Sequence, residues 1–430
     1  MSLALGIDLG TSGVRTAVLS EDGALLSQAR GTYGAGQASR EPEAWWAAAE
    51  SCLTNQIASL RAAGHDPREI ATVSVDGTSG SMVLVDDSLA PVTPALMYSD
   101  AGFEAEAAAI AALAPDPHIT RGSGSSLARL LHLQKDPNAV RATHVLHQAD
   151  FILARLRGKG GVSDENNALK LGYDPETGAW PAWFAEASVR PDILPSIVEA
   201  GAHLGPVDPL LARRLGLSEA LQVHAGTTDS LAAFLAAAPL ETGCAVTSLG
   251  TTMAIKIVSD TRIDAPQMGL YAHRLGGRWL VGGASNTGGG ALLEVFSGAE
   301  LAALSERIDP DAASPFDFYP LSRRGERFPV NDPALPPRLT PRPEDDVAYL
   351  HGLLESIARI EARCYALIAE LGGPSPKRII TAGGGAQNAA WTRIRSRVIE
   401  KPVAAATHAE AAIGAARLPQ MAAQVGPGEP

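Results

Sequence analysis

The residues of this chain that can do chemistry are carboxylates placed beside small, polar turns. Asp8 follows the apolar run Leu3–Ile7, and Gly10-Thr11-Ser12-Gly13 separates it from a second apolar run, Val14–Leu19. Strand, tight turn, strand is the expected local structure. Gly10 and Gly13 allow a sharp turn and close approach to a ligand. The hydroxyls of Thr11 and Ser12 and the amides between them can donate to an anion such as phosphate. Asp8, at the strand end, can face a metal ion. The same residues also suit an ordinary β-hairpin, because short glycine-rich motifs have a real false-positive rate.

Three further stretches repeat the pattern. Ile70–Asp76 alternates as a strand and runs into Gly77-Thr78-Ser79-Gly80-Ser81 before a strand at Met82–Val85. Strand ends of α/β sheets are where ligands bind. Leu221–Ala225 ends in Gly226-Thr227-Thr228-Asp229-Ser230, and an apolar helix, Leu231–Ala238, follows. Asp229 therefore sits at or near a helix N-terminus, where aspartate is a good cap. Within Ala245–Val258, Leu249-Gly250-Thr251-Thr252 echoes Leu9-Gly10-Thr11-Ser12. The echo begins soon after the midpoint, as though a second domain restarts the topology of the first. Two such hairpins can close on a polyphosphate from both sides.

The elements that must position these residues follow in order. Leu3 to Gln28 opens as a meander. Helices are expected over Glu41–Ala63, Phe103–Leu113, Ser126–Gln134, Phe151–Leu156 and Asp208–Leu215. In the second half, strands run through Tyr271–Arg274 and Arg278–Gly282, and Gly283–Gly290 opens a helix over Ala291–Phe296. Val347–Leu371 is the longest helical pattern. The strand Arg378–Ala382 leads into Gly383-Gly384-Gly385-Ala386-Gln387-Asn388 and a helix over Ala389–Glu400. A strand at Val403–Ala406 and a helix from Glu410 complete the order, with a frayed tail from Gly426.

Composition narrows the function class. A chain of 430 residues predicts two or three domains. A net charge of −12 without a basic block argues against nucleic acid as a partner. Three scattered cysteines, Cys52, Cys244 and Cys364, fit a reducing compartment and small core roles rather than disulfides. No basic n-region precedes an apolar stretch, and no apolar run reaches about 18 residues. A soluble cytoplasmic protein without a membrane partner is expected.

Taken in order, Asp8-Leu-Gly-Thr-Ser-Gly13, Gly226-Thr-Thr-Asp229, Ser248-Leu-Gly-Thr-Thr252, Gly325-Glu326-Arg327, Gly383-Gly-Gly-Ala-Gln-Asn388 and Glu410-Ala-Ala-Ile-Gly-Ala-Ala416 resemble the FGGY family of carbohydrate kinases. The resemblance runs from Leu3 to about Ala416. It implies an α/β, two-domain, actin-like ATPase (ribonuclease H-like) fold with mixed five-stranded sheets flanked by helices. The implied domains are 1–238 and 239–420, with a tail at 421–430. Within the family the chain is most similar to the short D-ribulokinase branch, through Val75-Asp-Gly-Thr-Ser-Gly80, Asn167-Ala-Leu-Lys-Leu-Gly-Tyr173, Ala225–Ser230, Gly282–Asn286 and Arg324–Pro329. Xylulokinases typically carry Gln-Met-His-Gly after the strand that here ends at Asp76.

The resemblance implies MgATP-dependent phosphorylation of a ketopentose 5-hydroxyl, with D-ribulose preferred. D-xylulose or a polyol on the same scaffold is the near alternative, and an actin-like nucleotide switch the distant one. Asp229 becomes the catalytic base and a second candidate for the metal. Asp8 lies near the sugar and holds Mg²⁺ through water. Gly10, Thr11, Ser12 and Gly13 cradle phosphate from the first domain, and Gly250 and Thr251 do so from the second. Gly288, Gly289, Gly384, Gly385 and Asn388 line the adenosine site. Ser12, Gly13, Arg15, Ser79 and Gly80 are further substrate contacts, and Arg15 can alternatively reach the γ-phosphate. His147, Gln148, Asp150 and Glu326 stay open as additional contacts. A monomer or homodimer is expected.

Overall fold

The computed structural model describes residues 2–34 and 39–425; the expected tail from Gly426 lies outside these. The chain divides into two compact units. The first comprises residues up to Ala236, Arg274–Gly277 and the segment from Glu410 onward. The second comprises Ala237–His273 and Arg278–Ala409.

The first unit is built on a sheet ordered Leu25–Thr32, Gly13–Leu19, Leu3–Leu9, Ile70–Gly77, Gln222–His224, His203–Pro206, with Thr227–Thr228 also paired to Ile70–Gly77. Leu3–Leu9 is buried along its whole length, whereas Leu25–Thr32 at the sheet edge is partly exposed. Strands covered on both faces read as continuous apolar runs, and edge strands alternate. Helix Pro42–Ala62 starts with proline, which lacks only an amide hydrogen that the first turn leaves unpaired anyway. It sends Trp45, Cys52, Ile57 and Leu60 into the core under this sheet.

The second unit repeats the arrangement. Met253–Ser259 pairs antiparallel with Cys244–Leu249, which pairs parallel with Arg378–Ala382, itself parallel to Val403–Ala405. In the first unit Gly13–Leu19, Leu3–Leu9 and Ile70–Gly77 stand in the same relation. The two turns differ in closure. Gly10 N–H donates to Gly13 O (3.0 Å), whereas Gly250 N–H donates to Thr252 O (3.1 Å), a turn one residue tighter.

The sheets have seven and six strands rather than five. In the first unit the expected strand Leu221–Ala225 forms over Gln222–His224, and a further strand, Thr227–Thr228, follows Gly226, where a Cβ would strike the Val75 carbonyl. The chain therefore pairs with Ile70–Gly77 twice, before and after the glycine. His203–Pro206 then adds an antiparallel edge. The sixth strand of the other sheet is the edge segment Tyr271–Leu275.

The segment from Glu410, expected within the second domain, clusters with the first unit. Small residues decide this. A Cβ on Gly6 would collide with Ala412 O, and one on Gly414 with Ala232 O, so only glycine lets helix Ala411–Val425 lie this close. That helix reaches Val425, past the expected tail boundary at 421. The three cysteines are free and buried. No helix among the described residues is long and apolar enough to cross a membrane.

Candidate active site

In the first unit, parallel strands bring carboxylates to one sheet end. Asp8 stands opposite Asp76 in register, and Asp76 opposite Thr227, two residues before Asp229. Helix Asp229–Ala237 begins at the aspartate itself, whose Oδ1 accepts from Ser230 N–H (2.6 Å). Asp8 and Asp76 are both buried. Burial raises the pKa of Asp8, opposed by hydrogen bonding with Asp76 and with Arg15. Burial raises that of Asp76 far more, and the charges of Asp8 and Asp229 add to it. Neither Asp76 oxygen has a hydrogen-bond partner among the other described residues, and Asp8 is the residue opposite it in register. Asp76 was absent from the expected site. Its signal, an aspartate closing a strand before a glycine-rich turn, is the one that marked Asp8.

Thr11 and Ser12 are exposed at the first turn, as a phosphate-binding loop requires. Gly13 packs so closely on the Gly31 carbonyl that no side chain fits there. Arg15 is held by carboxylates: its Nη1 donates to Asp8 Oδ2 (3.0 Å), and its Nε lies 3.6 Å from Glu410 Oε2. Among the described residues no group of three or more His, Cys, Asp or Glu is arranged to hold a metal directly. A single strand-end carboxylate ligand such as Asp8 would nevertheless suit Mg²⁺, which usually keeps several waters and is bound through one or two carboxylates plus phosphate.

Ser79 and Gly80 occupy the turn closed by Ser81 N–H to Thr78 O (3.3 Å), with Gly80 at φ +93°. Ser79 Oγ is buried without a partner, as is Ser126 Oγ. Ser126 Oγ would lie 3.3 Å from a Cβ on Gly80, so it belongs to the same neighbourhood. Sequence reasoning passed over Ser126 because Ser125-Ser126 reads as a helix start. Ser125 is the cap, accepting from Ala128 N–H, which leaves Ser126 uncommitted. His147 and Asp150 form a buried capping box, with Nδ1 3.1 Å from Oδ2. Their polar contacts fasten the start of helix Gln148–Arg157. Gln148 points elsewhere: its Oε1 accepts from Thr78 N–H (3.1 Å) and Thr78 Oγ1–H (2.7 Å) in the Ser79 turn.

The second unit contains a cavity of about 760 Å³ lined by Gly250, Thr251, Gly289, Gly384, Gly385 and Asn388, with Leu292, Leu301, Ala302, Ile308 and Trp391 as its apolar wall. This size and mixture suit a small-molecule ligand with one flat apolar part. Gly384 has open space where a side chain would stand, whereas Gly385 abuts Leu249 and Trp391. Gly288 does not line the cavity. At φ +153° it packs against Thr251 and Thr252 and lets the loop turn. Asn388 lines the wall, but its amide is committed: Oδ1 caps the next helix through Trp391 N–H (2.9 Å), and Nδ2 donates to Ser305 Oγ (2.8 Å). Glu326, expected as a possible substrate contact, is buried. It accepts from Ser285 Oγ (2.6 Å), Asn286 N–H (2.6 Å) and Tyr319 Oη (2.9 Å). It thereby fixes the strand end that leads into Gly288-Gly289.

Models of the N-terminal and C-terminal domains of the FGGY family of carbohydrate kinases match residues 3–236 and 245–423. A xylulose kinase of Escherichia coli (strain K12) is 25% identical over 449 residues, covering 97% of this chain and 90% of the relative. A xylulose kinase of Lactococcus lactis is 28% identical over 265 residues, covering 59% of this chain and 52% of the relative. The solved structure of a xylulose kinase from Rhodospirillum rubrum superposes with a TM-score of 0.84 at 23% identity, covering 100% of this chain and 91% of that one. The fold is that of FGGY kinase structures.

Proposed function

Because the chain belongs to the FGGY family of carbohydrate kinases, whose members are ATP- and Mg²⁺-dependent sugar phosphotransferases, we propose that it phosphorylates the 5-hydroxyl of a ketopentose, with D-ribulose preferred. The observation that carries the sugar side is the shared sheet end at which Asp8 and Asp76 lie and from which the helix beginning at Asp229 starts, with the unpartnered hydroxyl of Ser79 as a polar group suited to a sugar. The glycine-lined cavity of the second unit supports the nucleotide side.

Phosphoryl transfer needs positioning, charge neutralisation and a proton acceptor. In this reading Asp229 takes the proton from the acceptor hydroxyl and later returns it to solvent. Asp8 would hold a hydrated Mg²⁺, and Arg15 holds the Asp8 carboxyl in place. The amides and hydroxyls of Thr11 and Ser12 bind phosphate oxygens, as do Gly250 and Thr251. Gly289, Gly384 and Gly385 leave room for the nucleoside, and the apolar wall accepts its base. Ser79 and Ser126 bond sugar hydroxyls. When bound, Mg²⁺ neutralises phosphate charge.

The preference for ribulose rests on Asp76-Gly77-Thr78-Ser79-Gly80. The second reading, D-xylulose as substrate, is favoured by the named activity of the relatives. The two sugars differ only in configuration at C3. An ADP-release assay over D-ribulose, D-xylulose, ribitol and arabitol tests both. The proposal expects the highest kcat/KM for D-ribulose. A higher value for D-xylulose replaces it with the second reading, and ATP turnover indifferent to every sugar rejects both.

A further inference from the structure

The two turns of the first unit that the sugar-kinase reading needs, Gly10–Gly13 and Thr78–Ser81, are joined by a chain of hydrogen bonds that the reaction itself does not use. Tyr98 N–H donates to Ser81 Oγ (3.0 Å), and Ser81 Oγ lies 2.6 Å from Thr78 Oγ1. Thr78 Oγ1 and Thr78 N–H both donate to Gln148 Oε1 (2.7 and 3.1 Å). Gln148 Nε2 donates to Tyr33 Oη (3.4 Å), and Tyr33 Oη donates to Gly10 O (2.9 Å).

The direction of every bond is fixed. A backbone N–H can only donate, so the atom of Gln148 facing Thr78 is its oxygen. Its nitrogen must then face Tyr33. Gly10 O can only accept, so the tyrosine hydroxyl donates to it. Burial, reinforced by the charges of Asp8 and Asp76, raises the Tyr33 pKa and keeps that hydroxyl protonated. Aligned chains of this kind strengthen one another in a low-dielectric interior.

Each bridging residue also grips its own turn a second time. Gln148 N–H donates to Ser81 O (3.0 Å), and Tyr33 N–H to Ser12 O (3.4 Å). Gln148 is wholly buried and Tyr33 nearly so, and Gly77 packs against the Gln148 side chain. The amide of Gln148 is thus a spacer between one turn and the group that holds the other.

We propose that Gln148 and Tyr33 are positioning residues that set the spacing between the phosphate turn and the sugar turn, so that acceptor hydroxyl and phosphate meet in line. Neither residue touches the reacting atoms in this arrangement. Such spacing matters, since a misplacement of about 1 Å can cost about 100-fold in rate.

Kinetics and hydrogen exchange on the full chain test this with Tyr33→Phe, Gln148→Met and the double variant. In the kinetic arm, which rests on the sugar-kinase reading, Tyr33→Phe lowers kcat about tenfold while KM for sugar and for MgATP each change less than about twofold. The double variant is no slower than Gln148→Met alone, because both break one bridge. A kcat within about twofold of wild type for Tyr33→Phe, or single effects that multiply in the double variant, overturns the proposal. The exchange arm needs no substrate. Tyr33→Phe should speed exchange at Thr78–Ser81, the far turn, by about threefold or more, and Gln148→Met should do the same at Gly10–Gly13. Unchanged exchange at the far turn in Tyr33→Phe also overturns it, whether or not Gln148→Met folds. A wild-type protein that phosphorylates no sugar sinks the functional reading and leaves the exchange arm to decide the bridge.

Discussion

Glu165→Gln should remove one pH-dependent loss of stability from the first unit. Glu165 opens the short helix Glu165–Leu169, and the next residue, Asn166, donates to Thr227 Oγ1 (3.3 Å), two residues ahead of Asp229. Burial pushes the Glu165 carboxyl from an ordinary 4.5 up to about 8; Arg274 opposes the rise, while Glu199 and Asp164 assist it. The unfolded chain therefore loses this proton near pH 4.5 and the folded chain only near pH 8. Between those values the folded state binds more protons, so this group's contribution to stability falls as pH rises. The slope is at most about 1.4 kcal/mol per pH unit, and the full loss about 5 kcal/mol. Glutamine keeps the shape, cannot ionise and removes the slope. Near pH 4.5 the two proteins should melt within about 2 °C of each other. By about pH 8.5 the variant should be ahead by about 3–5 kcal/mol, at about 2–4 °C per kcal/mol for a unit of this size. Scanning calorimetry of wild type and variant in matched, substrate-free buffers across this range reads the gap directly. A gap that does not widen with pH refutes the reasoning. A gap favouring wild type at high pH would mean that Arg274 holds Glu165 ionised.

Asp229→Ala should reduce kcat by about 10²–10⁴ while KM for MgATP moves little, measured by coupled ADP release with the best sugar. Gly384→Leu should raise KM for MgATP without lowering Tm, because its side chain has only open cavity to enter; isothermal titration with ADP checks it, and undiminished affinity would remove Gly384 from the nucleotide pocket. Gly6→Ala should destabilise the first unit by about 3 kcal/mol or more, since the added methyl must displace Ala412 of the last helix; urea unfolding reads the loss.

The local signals in the sequence proved sound wherever a short stretch determines its own structure. Strand, glycine turn, strand at Leu3–Leu19 needs no distant partner, and neither does Pro42 opening a helix. The echo at Leu249–Thr252 was legible for the same reason, and the repeated strand order around it follows. Burial and hydrogen-bond commitments were not legible. Asn388 reads as a free amide in a glycine-rich loop, yet both its ends are occupied by Trp391 and Ser305. Glu326 reads as a substrate contact and is a buried fastener of the Ser285–Asn286 backbone.

Residue type and spacing were enough for the strand–turn–strand units at Leu3–Leu19 and Cys244–Ser259, the positions of Asp8 and Asp229 at strand and helix ends, and the membership of the chain in a family of sugar kinases. These depend on residue type and spacing along one stretch at a time. The meeting of Asp76 with Asp8 as buried carboxyl groups was visible in the fold alone, because it follows from parallel register between strands more than sixty residues apart. The fold alone decided that Arg15 is spent on Asp8 and Glu410. It also assigned the last helix to the first unit, through two glycines whose missing side chains matter only once the helix lies against them.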